Sequence, residues 1–116
     1  MTLFERIIAK EIPSSIVFEN EAFIAFKDIN PKAPVHVLCV PKKVSSRLDE
    51  LSGLEMGALF ETATKVAREA CGLKDYRLAV NLGAEAGQII FHTHVHILGG
   101  WTNLNAEAHH NQMGQK

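Results

Sequence analysis

Only two cysteines occur in the 116 residues, Cys39 and Cys71, and they lie far apart in the chain. That supply makes neither a disulfide framework nor a metal-binding knuckle, so both read as small buried residues in a reducing, cytoplasmic setting. Charge of one sign is not in excess either: 12 basic side chains against 13 acidic ones leave a formal charge of -1. Such a balance gives no general attraction to a nucleic-acid polymer or an anionic membrane. No apolar run approaches membrane-spanning length, and Phe4, Ile7 and Ile8 are interleaved with Glu5, Arg6 and Lys10, unlike a cleavable signal. A soluble protein with no membrane partner is expected. Internal repeats and interdomain linkers are also missing, and the length suits one domain over residues 1–100 followed by a polar tail over 101–116.

What the chain does have is histidine in a pattern. In FHTHVHILGG, His92, His94 and His96 alternate with Thr93, Val95 and Ile97, which predicts a strand with imidazoles on one face and apolar side chains on the other. A polar strand face can be the wet side of a sheet, and single histidines are mostly surface or structural residues. Three at period two, with His36 in another predicted strand, point instead to a site. Histidine titrates near neutrality, so a neutral nucleophile, acid or base is available without large electrostatic distortion. Zinc is the first alternative use of such a cluster, since it binds neutral imidazole well. Geometry limits it: residues two apart on a strand are separated by about 6.6 Å, so the outer imidazoles start roughly 13 Å apart. One ion could take two neighbours plus His36, but Phe91 to Gly100 contains no acidic residue and no cysteine pair is near. Metal-independent imidazole chemistry, with no metal and no cofactor, is therefore placed ahead of a zinc enzyme.

The remaining periodicities set the architecture. Leu3, Phe4, Ile7 and Ile8 predict a short helix within Thr2 to Lys10, ended by Pro13. Ile16 to Phe18 and Ala22 to Phe26 read as an antiparallel hairpin across the turn Glu19 to Glu21. A proline-punctuated loop from Asp28 to Pro34 precedes a strand from Val35 to Val40. Ser52 and Glu55 form a capping box for a helix from about Leu54 to Cys71, packed through Leu59, Ala63, Val66, Ala67 and Ala70 and stopped at Gly72. Strands follow at Tyr76 to Asn81 and His92 to Leu98, with Gly83 and Gly87 allowing a tight loop between them. This order predicts an α+β fold, an antiparallel sheet with one long helix over one face and the histidines on the other. The polar stretch from Trp101 is expected to be irregular in isolation, either a loose terminus or an arm that orders over a site or a partner subunit.

Three blocks in order carry a resemblance: LFERIIAKEIP at Leu3 to Pro13, AFKDINPKAPVHVLCVPKK at Ala25 to Lys43, and HTHVHILGG at His92 to Gly100. Over Phe4 to Gly100 the chain resembles the histidine triad (HIT) family, in particular its nucleoside phosphoramidase branch, the histidine triad nucleotide-binding proteins. The resemblance implies a HIT-like fold, a homodimer made by joining two sheets, and hydrolysis of purine nucleoside phosphoramidates to nucleoside monophosphate plus amine. It makes His94 the nucleophile that forms a covalent nucleotidyl-histidine, with His92, His96 and His36 completing the catalytic cluster around phosphate. Asp28 matches the carboxylate that accepts the ribose hydroxyls, although a loop carboxylate capping backbone donors is its ordinary use. Leu3, Phe4, Ile7, Phe26 and Ile29 match the apolar clamp on the base, a role that some can share with the core. Asn81, Gly87 and Gln88 match positions near phosphate, with loop stabilisation as the other use of the amides.

Two departures qualify the match. Ile89 stands near the leaving group where animal members often have serine, and isoleucine neither donates nor relays a proton. The segment Trp101 to Lys116 does not reproduce the tryptophan- and proline-containing end of those members. Other branches hydrolyse dinucleoside polyphosphates or transfer nucleotidyl groups, and a transferase branch replaces the last histidine of the triad with glutamine. His96 favours a hydrolase accordingly. A dinucleoside polyphosphate hydrolase and a nucleotide-binding interaction module with weak catalysis are the alternatives carried forward.

Overall fold

The chain enters through a reciprocal cap. Thr2 accepts a hydrogen bond from the Glu5 amide while the Glu5 carboxylate accepts one from the Thr2 amide, and this opens helix α1, Leu3–Ile8. A computed structural model describes residues 1–102, so the expected polar tail lies outside the described residues from position 103 onward. After α1 come strands β1 (Ile16–Glu19), β2 (Phe23–Lys27) and β3 (Val35–Pro41). Ser52 and Glu55 cap the long helix α2, Gly53–Lys65, which runs on as a π-helical turn, Val66–Ala70. Strands β4 (Tyr76–Ala79) and β5 (Val95–Gly99) complete a five-stranded antiparallel sheet in the order β1-β2-β3-β5-β4. The α+β fold read from the sequence is the observed one. No helix among the described residues is long and apolar enough to cross a membrane.

Parity along the strands divides the interior in two, because successive side chains alternate between the faces of a sheet. Ala25, Val37, Cys39, Val95 and Ile97 point toward α2 and pack with Leu51, Leu59, Ala63, Val66 and Ala67. On the other face Ile24, Phe26, Leu38 and Val40 pack with Phe4 and Ile7 of α1. His36 shares its face with Leu38 and Val40, and His96 with Leu98, so these histidines lie on the α1 side, away from α2. Cys39 and Cys71 are free thiols, and burial pushes that of Cys39 up to about 12.

The last strand corrects the sequence reading. It begins at Val95 rather than His92, so the three histidines do not share one continuous strand. The cause lies in β3. Continuing the Cys39–Val95 register by two residues would set Thr93 against Pro41, which has no N–H to give to a ladder. Instead, the Thr93 amide donates to the Ser45 carbonyl (2.8 Å), the Thr93 and Ser45 hydroxyls meet at 2.7 Å, and the His92 ring donates to the Pro41 carbonyl.

Candidate active site

A cavity of about 550 Å³ opens on the α1 face. Of the residues expected from sequence, Leu3, Phe4, Ile7, Phe26, Asp28, Ile29, His36, Asn81, Gly87, Ile89, His94 and His96 line it. α1 supplies the first three, β2 and the loop after it supply Phe26, Asp28 and Ile29, and β3 and β5 supply His36 and His96. Phe4 and Phe26 pack edge to face at 5.4 Å, and the Phe4 ring meets the His94 ring in the same manner at 4.9 Å. Apolar side chains that the sequence reading did not single out, including Ile12, Leu38 and Leu98, extend the wall. At the rim Ile29 is 86% exposed and Ile89 87% exposed, which leaves both free to meet a ligand.

The three rings His94, His96 and His36 form a row. Centroids are 5.0 Å apart between His94 and His96 and 5.1 Å apart between His96 and His36. His36 and His96 are diagonal neighbours across the β3–β5 pair, where side chains of this size reach one another. His94 Nδ1 lies 2.7 Å from the His92 carbonyl oxygen. A carbonyl only accepts, so Nδ1 carries the proton and Nε2 of neutral His94 keeps its lone pair. Burial holds His94 below the usual histidine range, although the hydrogen bond to His92 works the other way. Burial also lowers His36, against the pull of the Asp28 carboxylate, and it takes His96 down to about 4 with help from the neighbouring His94 and His36.

His92 and Gln88 stand outside the cavity wall. The His92 ring is fully buried and spends Nε2–H on the Pro41 carbonyl at 2.7 Å, so its contact with His94 is through the backbone carbonyl. Gln88 is 4% exposed, accepts from the Gly83 amide at 2.9 Å and donates to the Ser46 and Ile90 carbonyls. Its amide thereby ties the loop between β4 and β5 to the segment after β3. In that loop Gly83 and Gly87 adopt φ of 96° and 95°, a region that side chains with Cβ avoid, as their assignment to a tight loop requires.

Asp28 caps its own loop, accepting from the Asn30 amide at 2.8 Å, while its other oxygen lies 3.5 Å from His36 Nε2. Asp28, His36 and His96 offer three possible ligand atoms within 4.8 Å of one another. The sequence reading missed a further contact: the Lys32 backbone amide donates to His36 Nδ1 at 3.0 Å. No side-chain pattern could have announced it.

Comparison with known proteins bears on this arrangement. A 14 kDa zinc-binding protein of Zea mays is 45% identical over 106 residues, covering 85% of this chain and 81% of the relative. The Arabidopsis thaliana protein named adenylylsulfatase is 42% identical over 105 residues, covering 85% of this chain and 71% of that protein. Among solved structures, a HIT family hydrolase from Clostridium thermocellum superposes with a TM-score of 0.80 at 43% identity, covering 88% of this chain and 92% of that one. Residues 9–103 match the HIT domain, and with the histidine row in place on its sheet the chain belongs to the HIT domain family.

Proposed function

We propose that this protein hydrolyses purine nucleoside phosphoramidates to nucleoside monophosphate and amine through a covalent intermediate on His94. The observation that carries the reading is the His94 to His92 carbonyl hydrogen bond, which leaves Nε2 as the free nucleophilic nitrogen beside an apolar cavity. In the first step Nε2 attacks the α-phosphorus, the P–N bond breaks, and its electron pair leaves with the amine, which takes a proton from solvent. The ring then carries positive charge, and its Nδ1–H bond to the His92 carbonyl becomes charge-assisted and stronger. In the second step water attacks phosphorus and gives up a proton to solvent, the P–Nε2 bond breaks, and its pair returns to neutral His94. Splitting the displacement lets each half occur at a positioned phosphorus. His96 donates to a phosphoryl oxygen, Asp28 accepts from the ribose hydroxyls, and Phe4, Ile7, Phe26 and Ile29 hold the base.

The imidazoles supply nucleophile and donors themselves, so the reaction as proposed takes no metal ion or cofactor. The family resemblance supports a homodimer formed by joined sheets, and two free thiols suit the reducing cytoplasm.

A second reading is favoured by Ile89, which is exposed at the rim and offers no proton to a leaving amine. An anionic leaving group needs none. Dinucleoside polyphosphates and adenylyl sulfate are such substrates, and the Arabidopsis relative bears a name for hydrolysis of the latter. The test incubates metal-free protein with an adenosine phosphoramidate carrying a fluorogenic amine, a diadenosine polyphosphate, and adenylyl sulfate. Mass spectrometry after acid-free quenching then looks for a nucleotidyl adduct on His94. Phosphoramidate turnover with that adduct, both lost in His94→Ala while nucleotide still binds, is the expected result. Turnover of the anionic leaving groups alone would move the assignment to the second reading, and full activity in His94→Ala would overturn both. Nucleotide binding without turnover would favour an interaction module.

A further inference from the structure

We infer that the backbone amide of Lys32 is a positioning group: it locks His36 and His96 each into one tautomer, aims His96 Nε2–H at the cavity, and opposes zinc at Asp28, His36 and His96. Two contacts join three residues in a row. The Lys32 amide donates to His36 Nδ1 at 3.0 Å, and His36 Nε2 lies 2.9 Å from His96 Nδ1. An amide N–H only donates, so His36 Nδ1 must present a lone pair, and neutral His36 then carries its proton on Nε2. That proton faces His96 Nδ1, which must accept it. Neutral His96 is left with its proton on Nε2, as a hydrogen-bond donor.

The opposite assignment fails at its first link. If His96 Nδ1 carried the proton, His36 Nε2 would have to accept it and His36 Nδ1 would bear the other hydrogen. Two N–H groups would then point at each other across 3.0 Å. Charging His36 has the same consequence, since imidazolium is protonated at both nitrogens. The Asp28 carboxylate, 3.5 Å from His36 Nε2, adds a second acceptor for the same proton and does not disturb the order. Burial, which disfavours charge on His36 and His96, agrees with it.

The same amide bears on metal. Asp28, His36 and His96 have the spacing of a ligand set. A histidine bound to zinc through Nε2 normally carries its proton on Nδ1 and donates it to a carbonyl or carboxylate. At His36 that place is taken by a donor. Coordination would therefore break the Lys32 bond and set two hydrogens face to face, so the trio does not fit zinc in spite of its spacing. Rotation of the loop alone cannot repair this while Lys32 remains opposite Nδ1.

The tautomers and the zinc response stand on the geometry alone; that His96 Nε2–H meets a phosphoryl oxygen rests on the proposed hydrolysis. The experiment uses long-range proton–nitrogen correlation spectra of the full-length protein, with His36→Asn and His96→Asn to assign the rings. Expected are a proton-free Nδ1 and a protonated Nε2 on both residues, unchanged by equimolar zinc. A protonated Nδ1 on either ring, averaged nitrogens, or a zinc-bound His36 Nε2 would overturn the inference. Lys32→Pro removes the N–H and should allow both His36 tautomers and bind zinc about tenfold tighter at this site. Lys32→Ala keeps the N–H and should keep the wild-type spectrum; if it loosens the tautomers as proline does, the side chain rather than the amide is responsible. Ordered tautomers in a protein without phosphoramidate turnover would sustain this inference and sink the proposed function. Disordered tautomers in an active enzyme would do the reverse.

Discussion

Acid should weaken this fold through His96 well before the carboxylates titrate. Its folded value is about 4 against 6.5 for the unperturbed side chain, and the first cause is burial, followed by the charges that His94 and His36 would carry. A pKa lowered by folding means that the unfolded chain binds the proton first. The stability that neutral His96 contributes is thus complete above 6.5 and is lost progressively as pH falls from 6.5 toward 4. At pH 5 an unfolded histidine is almost wholly protonated while folded His96 is mostly neutral, and integrating the difference from pH 7 gives a loss of about 2 kcal/mol. His36 and His94 are lowered as well and add to the loss. Urea denaturation at pH 7 and pH 5, in wild type and His96→Gln, isolates the effect. The variant loses a hydrogen bond and starts less stable, but its fall between the two pH values should be smaller by about 2 kcal/mol. Equal stability at pH 5 and 7 in wild type, or an undiminished fall in His96→Gln, would refute the account.

Turnover should follow neutral His94, whose pKa burial places below 6.5: kcat/KM is expected to be flat near pH 7 and to drop only as pH falls through that lowered value, and an acid limb at or above 6.5 would count against His94 as nucleophile. Ile89→Ser should raise kcat/KM for amine leaving groups by roughly tenfold or more and leave adenylyl sulfate unaffected, because a hydroxyl can relay a proton where isoleucine cannot. Gln88→Leu strands the Gly83 amide and the Ser46 carbonyl and should cost about 2–4 kcal/mol in urea denaturation. Nucleotide affinity measured on the folded fraction should change less than twofold, roughly, if the amide serves the loop, while a selective loss of affinity would return Gln88 to the phosphate.

Most of the fold was legible because it follows from alternation and caps. Ile24, Phe26, Leu38 and Val40 on one parity and Ala25, Val37 and Cys39 on the other define two buried faces, and Ser52 with Glu55 marks the start of α2 within a residue. Thr2 with Glu5 carries the same signature at the start of α1, alongside the apolar spacing of that helix. The π-helical turn from Val66 to Ala70 has no such signature, since α and π turns differ by one residue in hydrogen-bond span and share the same side chains. In the site, identity and neighbourhood came from the sequence for His36, His94 and His96, while orientation did not. His92 and Gln88 show why: each has polar atoms suited to phosphate, yet the Gln88 amide and the His92 Nε2–H are spent on backbone groups brought near only by the folded chain, and His92 Nδ1 is buried without a partner among the described residues. The Lys32 amide is the limiting case, a backbone donor whose partner depends wholly on how the loop before β3 turns.

The broken strand explains why a period-two histidine row can yield residues with different duties. β4 ends at Ala79, opposite His96, so the residues before His96 have no strand partner on that side among the described residues. On the other side β3 reaches a proline where Thr93 would pair. An uninterrupted strand would extend all three histidines away from one another at about 6.6 Å spacing and commit their backbone groups to the ladder. Because pairing stops on both sides, the His92 carbonyl is free to accept from the ring of His94, and the chain bends enough for one residue to orient the side chain two positions later. His92 thereby anchors the segment with its ring and sets the His94 tautomer with its backbone, whereas His96, still inside the sheet, takes its tautomer from His36 across the strands. His94, the proposed nucleophile, and His96 beside it are thus fixed by two separate hydrogen-bond systems, one local and one cross-strand. A change to either should alter one imidazole without rotating the other.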